Sequence, residues 1–444
     1  MRSVCAVLAM FAFACDSSSS GNVDGGDGDG GIDPTDGGTT GPKTVKLTLA
    51  NRPMNGAPFS FFVAYQDGSA PWTVAPAPND DVYAFSISAP VYGVAWGCIG
   101  NVTGTTTTQL RTVTSAHFAV AERTDLAFDV PARCSDRGAG NVTLSGTVTN
   151  RPGAGVVIVQ FGSRSTVAGT TSGSFTLSTP PGTHDLIVTH AVPEGNGEFY
   201  VDEALAIRDV AVMGPTSRTI DFTAAEPTLY YPVTASSPDL QARFLATTTL
   251  YTGNETTAGL VRESVNMETQ SLATAQMRTS DVYDQLISVT RPGSGAAITN
   301  ATNAPGPQTF VAPAPLGVVS CAVTSKTPYA ILGTTWPAYG SSIGYIWNAT
   351  QQLGAQQCGG NVACTIVWSA YVSPGVTGAM PAFAMPDLAA VMGWKTAYEL
   401  VGGAPIVGGV TAQTSSAGAG DFPPGTPANG TKRAFVRSDY SVTP

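Results

Sequence analysis

Apolar and polar residues alternate in short runs along this chain. Val45–Ala50 (VKLTLA), Phe61–Tyr65 (FFVAY), Val82–Ser88 (VYAFSIS) and His117–Ala121 (HFAVA) each alternate with a period of two, and clusters of Gly, Pro, Asn and Asp separate them. A period of two puts alternate side chains on opposite faces of a strand, so each run predicts a strand with one face in a core. Val318–Ser325, Tyr329–Trp336, Cys364–Val372 and Ile406–Ala412 read the same way. One stretch differs. Pro386-Asp387-Leu388-Ala389-Ala390-Val391-Met392-Gly393 opens on Pro, carries Asp in its first turn and stops at Gly, which predicts a short helix. The expected fold is all-β, a series of tandem antiparallel β-sandwich modules.

Repetition organises these strands. Leu47–Gly56 (LTLANRPMNG) returns as Gly146–Gly155 (GTVTNRPGAG), with Thr, Asn-Arg-Pro and Gly in register. Val82–Ala89 aligns with Thr183–His190 at nearly the same offset, and Asp81–Ser88 is echoed by Asp281–Ser288. The shared order implies one module used twice, over 43–136 and 137–226. A related module is expected over 227–312, after the boundary at Glu226-Pro227. A C-terminal β domain carrying the short helix would fill 313–444.

Within residues 142–190, Gly146-Thr147-Val148 is followed by Gly173-Ser174-Phe175-Thr176-Leu177 and Pro180-Pro181-Gly182-Thr183. This pattern resembles the transthyretin-like modules known as carboxypeptidase regulatory-like domains. It departs from them at His184, where an aromatic is usual, and lacks the Gly that usually follows the final strand. The resemblance implies a spacer, adhesion unit or sugar-binding module, and it transfers no catalytic residue.

The N-terminus sets the compartment. Arg2 precedes an apolar run from Val4 to Ala14, too short for the roughly 20 helical residues a bilayer needs, so residues 1–14 read as an export signal. Ala12-Phe13-Ala14-Cys15 resembles the bacterial lipobox, with Ala12 where Leu is usual, which makes Cys15 the lipidation site; cleavage at an AxA-like site would instead give a secreted protein. Residues 15–42 are Ser, Gly and Asp with almost no apolar side chain, the composition of a disordered tether. The expectation is an outer-membrane or cell-surface lipoprotein of the cell envelope, whose partner at its N-terminus is the membrane.

The tether also holds the charge. Asp16, Asp24, Asp27, Asp29, Asp33 and Asp36 supply six of the ten net negative charges, so the remainder is nearly neutral and no nucleic-acid partner is expected. Asp27, Asp29, Gly30, Asp33 and Asp36 approach the spacing of aspartate-rich calcium loops, but Gly25 stands where the leading Asp belongs, and a Gly/Asp-rich tract produces such matches by itself.

Cysteine usage fits an oxidising compartment. With Cys5 in the signal and Cys15 acylated, five cysteines remain. The order of strands suggests a Cys98–Cys134 bridge, and Cys358–Cys364 could close a tight hairpin. Cys321 is then unmatched, unless it pairs with one of the latter two. No zinc site is expected, since no further Cys or His lies near these residues.

Candidate chemistry is sparse. Gly340-Ser341-Ser342-Ile343-Gly344 matches a nucleophile elbow around Ser342, but all three histidines (His117, His184, His190) precede it, whereas that chemistry needs the His after the Ser and a parallel α/β sheet. His184 and His190, six apart, could share a strand face with Glu194 and Glu198 following, a weak metal pattern. Asp202 and Glu203 offer carboxylates of the kind glycoside hydrolysis uses, though adjacent acids are more often only solvated. No catalytic, metal or cofactor site is therefore expected, and the chain reads as a non-enzymatic surface protein for adhesion or display. The alternative is a polysaccharide binder that stacks sugars on exposed rings among Trp72, Trp96, Trp336, Trp347, Trp368 and Trp394, so a glycan or another envelope protein is the expected partner. A third reading is a hydrolase with an unrecognised site.

Overall fold

The computed structural model describes residues 41–53, 60–100, 108–131, 134, 141–195, 198–237, 243–264, 267–360 and 362–444. The expected export signal, Cys15 and the expected tether up to residue 40 lie outside the described residues. The architecture is all-β.

In the first module β1 (Lys43–Ala50) lies between β4 (Val82–Ile87), antiparallel, and β7 (Asp125–Asp129), parallel. Facing this sheet are β3 (Thr73–Val74), β2 (Phe61–Asp67), β5 (Val91–Ile99) and β6 (Thr108–Ala119), in that order. The second module repeats the arrangement: β8 (Val142–Thr149) sits between antiparallel β11 (Ser174–Thr179) and parallel β14 (Thr216–Asp221). Its opposing sheet runs β10 (Arg164–Val167), β9 (Val156–Phe161), β12 (Gly182–Gly195), β13 (Glu198–Val212) and β15 (Glu226–Pro227). The third has β16 (Leu229–Ser236) between antiparallel β19 (Glu268–Ser271) and parallel β22 (Gln308–Val311). Against it lie β18 (Thr257–Ser264), β17 (Arg243–Tyr251), β20 (Val282–Arg291) and β21 (Ser294–Thr302). The parallel pair that closes each small sheet is not legible from alternation.

The fourth module keeps six of these positions. Its large sheet runs β26 (Ala363–Val372), β25 (Gly344–Leu353), β28 (Ile406–Ser415), β29 (Lys432–Val442). Over it, β24 (Ile331–Thr335) pairs with antiparallel β27 (Ala382–Ala384) on one side and β23 (Ser320–Ser325) on the other. β23 comes before β24 in the chain and runs antiparallel to it, where the other modules place a final parallel strand.

The topology corrects two sequence matches. Val82–Ala89 covers β4, whereas Thr183–His190 lies in β12, whose equivalent in the first module is β5. Asp281–Ser288 likewise falls on β20, again the counterpart of β5. The Asn-Arg-Pro match, by contrast, aligns equivalent turns. Asn51 and Asn150 both take positive φ (60° and 53°), a conformation Asn tolerates better than most residues. The following arginine then pins the loop ahead of β4 or β11: Arg52 donates to the Asp80 carbonyl, and Arg151 donates to the carbonyls of Gly169, Thr170 and Thr171.

The helix expected over Pro386–Gly393 does not form. The segment makes turns, with Val391 N–H bonded to Leu388 O and Ala389 N–H to the Asp387 side chain. Tyr329 hydroxyl accepts from Leu388 N–H, and Leu388 and Val391 are both buried in the core, so tertiary contacts override the capping pattern. An α-helix of one turn occurs instead at Pro374–Thr377.

Three large sheets fuse into one. β21 pairs with β29 and β26 pairs in parallel with β6, giving a continuous twelve-stranded sheet in which module four lies between modules three and one. Val94, Trp96, Ala116 and Phe118 face module one's small sheet, packing with Leu47 and Tyr83. The opposite face, with Phe62, Ala64, Ala95 and Val113, packs in the module-four core with Trp347, Trp368 and Tyr398. Burial on both faces explains why β5 (VYGVAWGCI) is apolar without alternation. Its glycines admit close neighbours: a Cβ on Gly97 would lie 2.5 Å from the Phe62 ring, and one on Gly93 would lie 2.9 Å from the Trp72 ring.

Candidate functional site at the module joints

Among the described residues, those singled out by chemistry do not assemble into a reaction centre; the side chains of Glu194 and Glu198 lie outside the described residues. Ser342 sits in a turn leading into β25, its N–H bonded to Tyr339 O; an antiparallel strand follows it, not the helix that an elbow requires. The histidines are held separately. His117 contacts Trp72 and Phe383 edge-on, with Nε2 3.1 Å from Ser115 Oγ, and burial pushes its pKa down to about 4. His184 Nδ1 bonds Asn254 O at 3.0 Å, whereas His190 pairs with Asp202 at 2.7 Å. Asp202 thus serves His190, and among the described residues no three His, Cys, Asp or Glu side chains gather as metal ligands.

The tryptophans are mostly interior. Trp96, Trp336, Trp347 and Trp368 are buried, while Trp72 and Trp394 are half-buried. Trp347 Nε1 donates to Thr334 Oγ1 and Trp368 Nε1 to Tyr398 O, both at 2.9 Å. Trp394 stacks on Tyr329 with centroids 5.4 Å apart. Trp96 fills module one's own core and the other five rings belong to the core that modules four and one share, so the six offer no row of exposed rings for sugar stacking.

Disulfides join Cys98 to Cys134 and Cys358 to Cys364. Cys321 is a free, half-buried thiol that accepts from Thr334 Oγ1, and burial raises its pKa.

The most heavily built features are the joints. Between modules two and three, Arg208 on β13 donates to Asp185 Oδ2 (2.7 Å), to both carboxylate oxygens of Asp281 (3.0 and 2.6 Å) and to Gln276 O (2.6 Å). Asp209 N–H and Asn254 Nδ2 complete the shell of Asp185 at 3.0 and 3.1 Å, and Arg278 N–H donates to Asp281. Burial by itself would raise the Asp185 pKa, but donation from Asp209 N–H, Arg208 and Asn254 reverses this and leaves it below the usual value. Burial likewise opposes the charge on Arg208, and Asp281 and Asp185 more than restore it. Around this cluster Ile187, Ala191, Val201 and Ala204 pack against Leu250, Leu260 and Tyr283.

Modules one and four share more than the β6–β26 ladder. Arg111 donates to Cys358 O (2.8 Å) and Ala397 O (3.3 Å), and Tyr398 hydroxyl to Ser60 O (2.8 Å). Arg123 bonds the carbonyls of Gly420 and Phe422, while Glu122 accepts from Ser373 Oγ and Gly375 N–H. At the joint of modules three and four, Arg433 forks onto Asp421 at 2.6 and 2.5 Å, beside Asp284, whose pKa burial raises to about 6. The surface carries open clefts. One of about 530 Å³ lies at the Asn150–Gly153 turn, lined by Thr149, Arg151, Thr170 and Ser172, and one of about 320 Å³ lies between Lys326 and Glu399.

No family model and no curated protein sequence matches the chain. Among solved structures, it is similar to the Bacillus anthracis TIE protein at 9% identity, over 61% of this chain and 50% of that one, with a TM-score of 0.14. It is also similar to a streptococcal ancillary pilin at 6% identity, over 60% of this chain and 97% of that one, with a TM-score of 0.14. The chain thus spans half the length of the first, and at these scores neither likeness carries an argument about function.

Proposed function

We propose that this chain is a lipid-anchored surface protein of the cell envelope that works without catalysis, as a stiff support for adhesion or display toward a glycan or another envelope protein. The observation that carries this reading is the twelve-stranded sheet shared by modules one, three and four, together with the buried Asp185–Arg208–Asp281 joint that ties module two to module three. Flexible tandem modules need only linkers between them. Fusion at the strand edges and a desolvated ion cluster suit a body that must hold its shape at the end of a tether. The signal-like run to Ala14, Cys15 and the Ser/Gly/Asp-rich segment 16–42 support anchoring, and the resemblance of residues 142–190 to carboxypeptidase regulatory-like modules supports a binding or spacing role. Fractionation of cells expressing the full chain and a Cys15→Ala variant tests the proposal. The wild type should partition with membranes and be cleaved by protease added to intact cells, and Cys15→Ala should be released. Wild-type protein in the cytosol with reduced thiols would overturn it.

A further inference from the structure

The connection between β28 and β29, residues 416–431, touches three modules. On module one, Arg123 donates to the carbonyls of Gly420 and Phe422, and the Phe422 ring packs against Phe118 with centroids 6.0 Å apart. On module four, Gln413 Nε2 donates to Asp421 O at 3.0 Å, and Arg433 gives Nε and Nη2 to the Asp421 carboxylate and Nη1 to Gly425 O. On module three, Asn303 N–H donates to Asn429 Oδ1 at 3.0 Å, and Ala301 O accepts from Gly430 N–H at 2.8 Å. The connection is therefore a strap across both junctions of the fused sheet, β6 with β26 and β21 with β29.

A second carboxyl shares this neighbourhood. Asp284 pairs in register with Ala301, and Thr299 with Arg433, so Asp284, Thr299 and Arg433 project from one face of the sheet. Ile287 and Ile298 project from the other, into the core under module three's small sheet. Asp284 Oδ1 is buried and meets no hydrogen-bond partner. An ionised carboxylate held so would lose the donors that stabilise its charge, whereas a neutral carboxyl loses far less. The charged groups that face it are Arg433 on β29 and Asp421 in the strap; β21 adds Thr299, and β17 adds Thr249 as register partner. Burial is the largest influence and pushes the Asp284 pKa up to about 6, with Asp421 acting in the same direction and Arg433 and Thr299 against it.

We propose that residues 416–431 form an acid-set strap, clasped through Asp421 and Arg433 while Asp284 is neutral and loosened when Asp284 gives its proton to solvent. Two carboxylates then compete for one guanidinium whose three nitrogens are already turned to the strap. The sign follows from linkage. Closure raises the Asp284 pKa from 3.8 to about 6, so its contribution to closure is fully present below the lower value and is lost as pH rises through the higher one. Because the strap holds Arg123 of module one and Asn303 of module three against module four, the arrangement of these three modules is tightest in acid.

Hydrogen exchange of the full chain at pH 5 and 7.5, corrected for the intrinsic pH dependence of amide exchange, tests this at Asp421 and Phe422, whose N–H groups bond Gly418 O and Ala419 O. In the wild type their protection should fall about tenfold between the two pH values, the ratio that linkage gives for these two pKa values. In Asp284→Asn it should not change with pH, and in Asp421→Asn it should be low at both. β25 and β26 should keep their protection throughout. The same pH dependence in Asp284→Asn, no fall in the wild type, or intact strap protection in Asp421→Asn would each overturn the proposal. So would an equal fall in the strap and in β25 and β26, which would place the effect on the whole fold.

Discussion

Val113 on β6 and Trp368 on β26 are register partners across the parallel pair that joins the first module to the fourth, and both are buried in a single apolar cluster. Residues separated in sequence by two other modules therefore share a core. Replacing Trp368 by Ala removes a large ring and its bond to Tyr398 O, which should cost about 3–5 kcal/mol. Calorimetry should show one transition for modules one and four, shifted as a unit. A variant that lowered only one of two resolved transitions would contradict a shared core.

The Arg208 cluster should respond asymmetrically. Arg208→Met leaves Asp185 and Asp281 buried without their cation, an expected loss of about 3–5 kcal/mol, measured by urea unfolding. Asp185 is held below its usual value, so its contribution is present above the ordinary carboxylate range and is lost as pH falls through its folded-state value. The acid slope from this joint should disappear in the variant.

Asp284 and His117 act on acid stability in opposite directions. Burial raises Asp284 from 3.8 to about 6, so the folded state binds more protons than the unfolded chain across that window and stability falls as pH rises through it. Asp284→Asn should therefore stabilise the protein at pH 7.5, by at most about 3 kcal/mol. Burial lowers His117 from 6.5 to about 4, so the unfolded chain binds more protons in that range and stability falls as pH drops. The two partly cancel between pH 4 and 6. Denaturation of Asp284→Asn at pH 4.5, 6 and 7.5 should show a steeper acid loss than the wild type.

Opening the Cys98–Cys134 bridge releases a loop of 36 residues, which on chain entropy should cost about 4 kcal/mol. Opening Cys358–Cys364, with a separation of 6, should cost about 2 kcal/mol. Paired Cys→Ser variants compared by thermal unfolding check the ratio.

Alternation is enough to mark Val45–Ala50 and Val82–Ser88 as strands, because each turns one face to one core. It does not say which strand is which: β4 resembles β12 because any core strand satisfies the same pattern. The Asn-Arg-Pro repeat is more informative, since positive φ and a guanidinium spanning to a neighbouring loop demand particular residues. The unbroken apolar run of β5 does carry the signature of a doubly covered strand, although nothing in it names module four as the second cover. The turn at Pro386–Gly393 follows from Tyr329, almost sixty residues earlier, and the pairing of His190 from Asp202, so neither is visible locally. The joints draw on partners as far apart as Tyr398 and Ser60, a separation beyond any local pattern.

The shared sheet is tested most directly by a covalent bond across it. Thr114 and Ser369 are register partners on adjacent parallel strands, within the distance a disulfide spans. In a Cys321→Ser background, Thr114→Cys combined with Ser369→Cys should form an intramolecular bridge, found by peptide mapping, with the β spectrum unchanged. Free thiols at both positions, in protein whose Cys98–Cys134 and Cys358–Cys364 bridges have formed, would contradict the fused sheet.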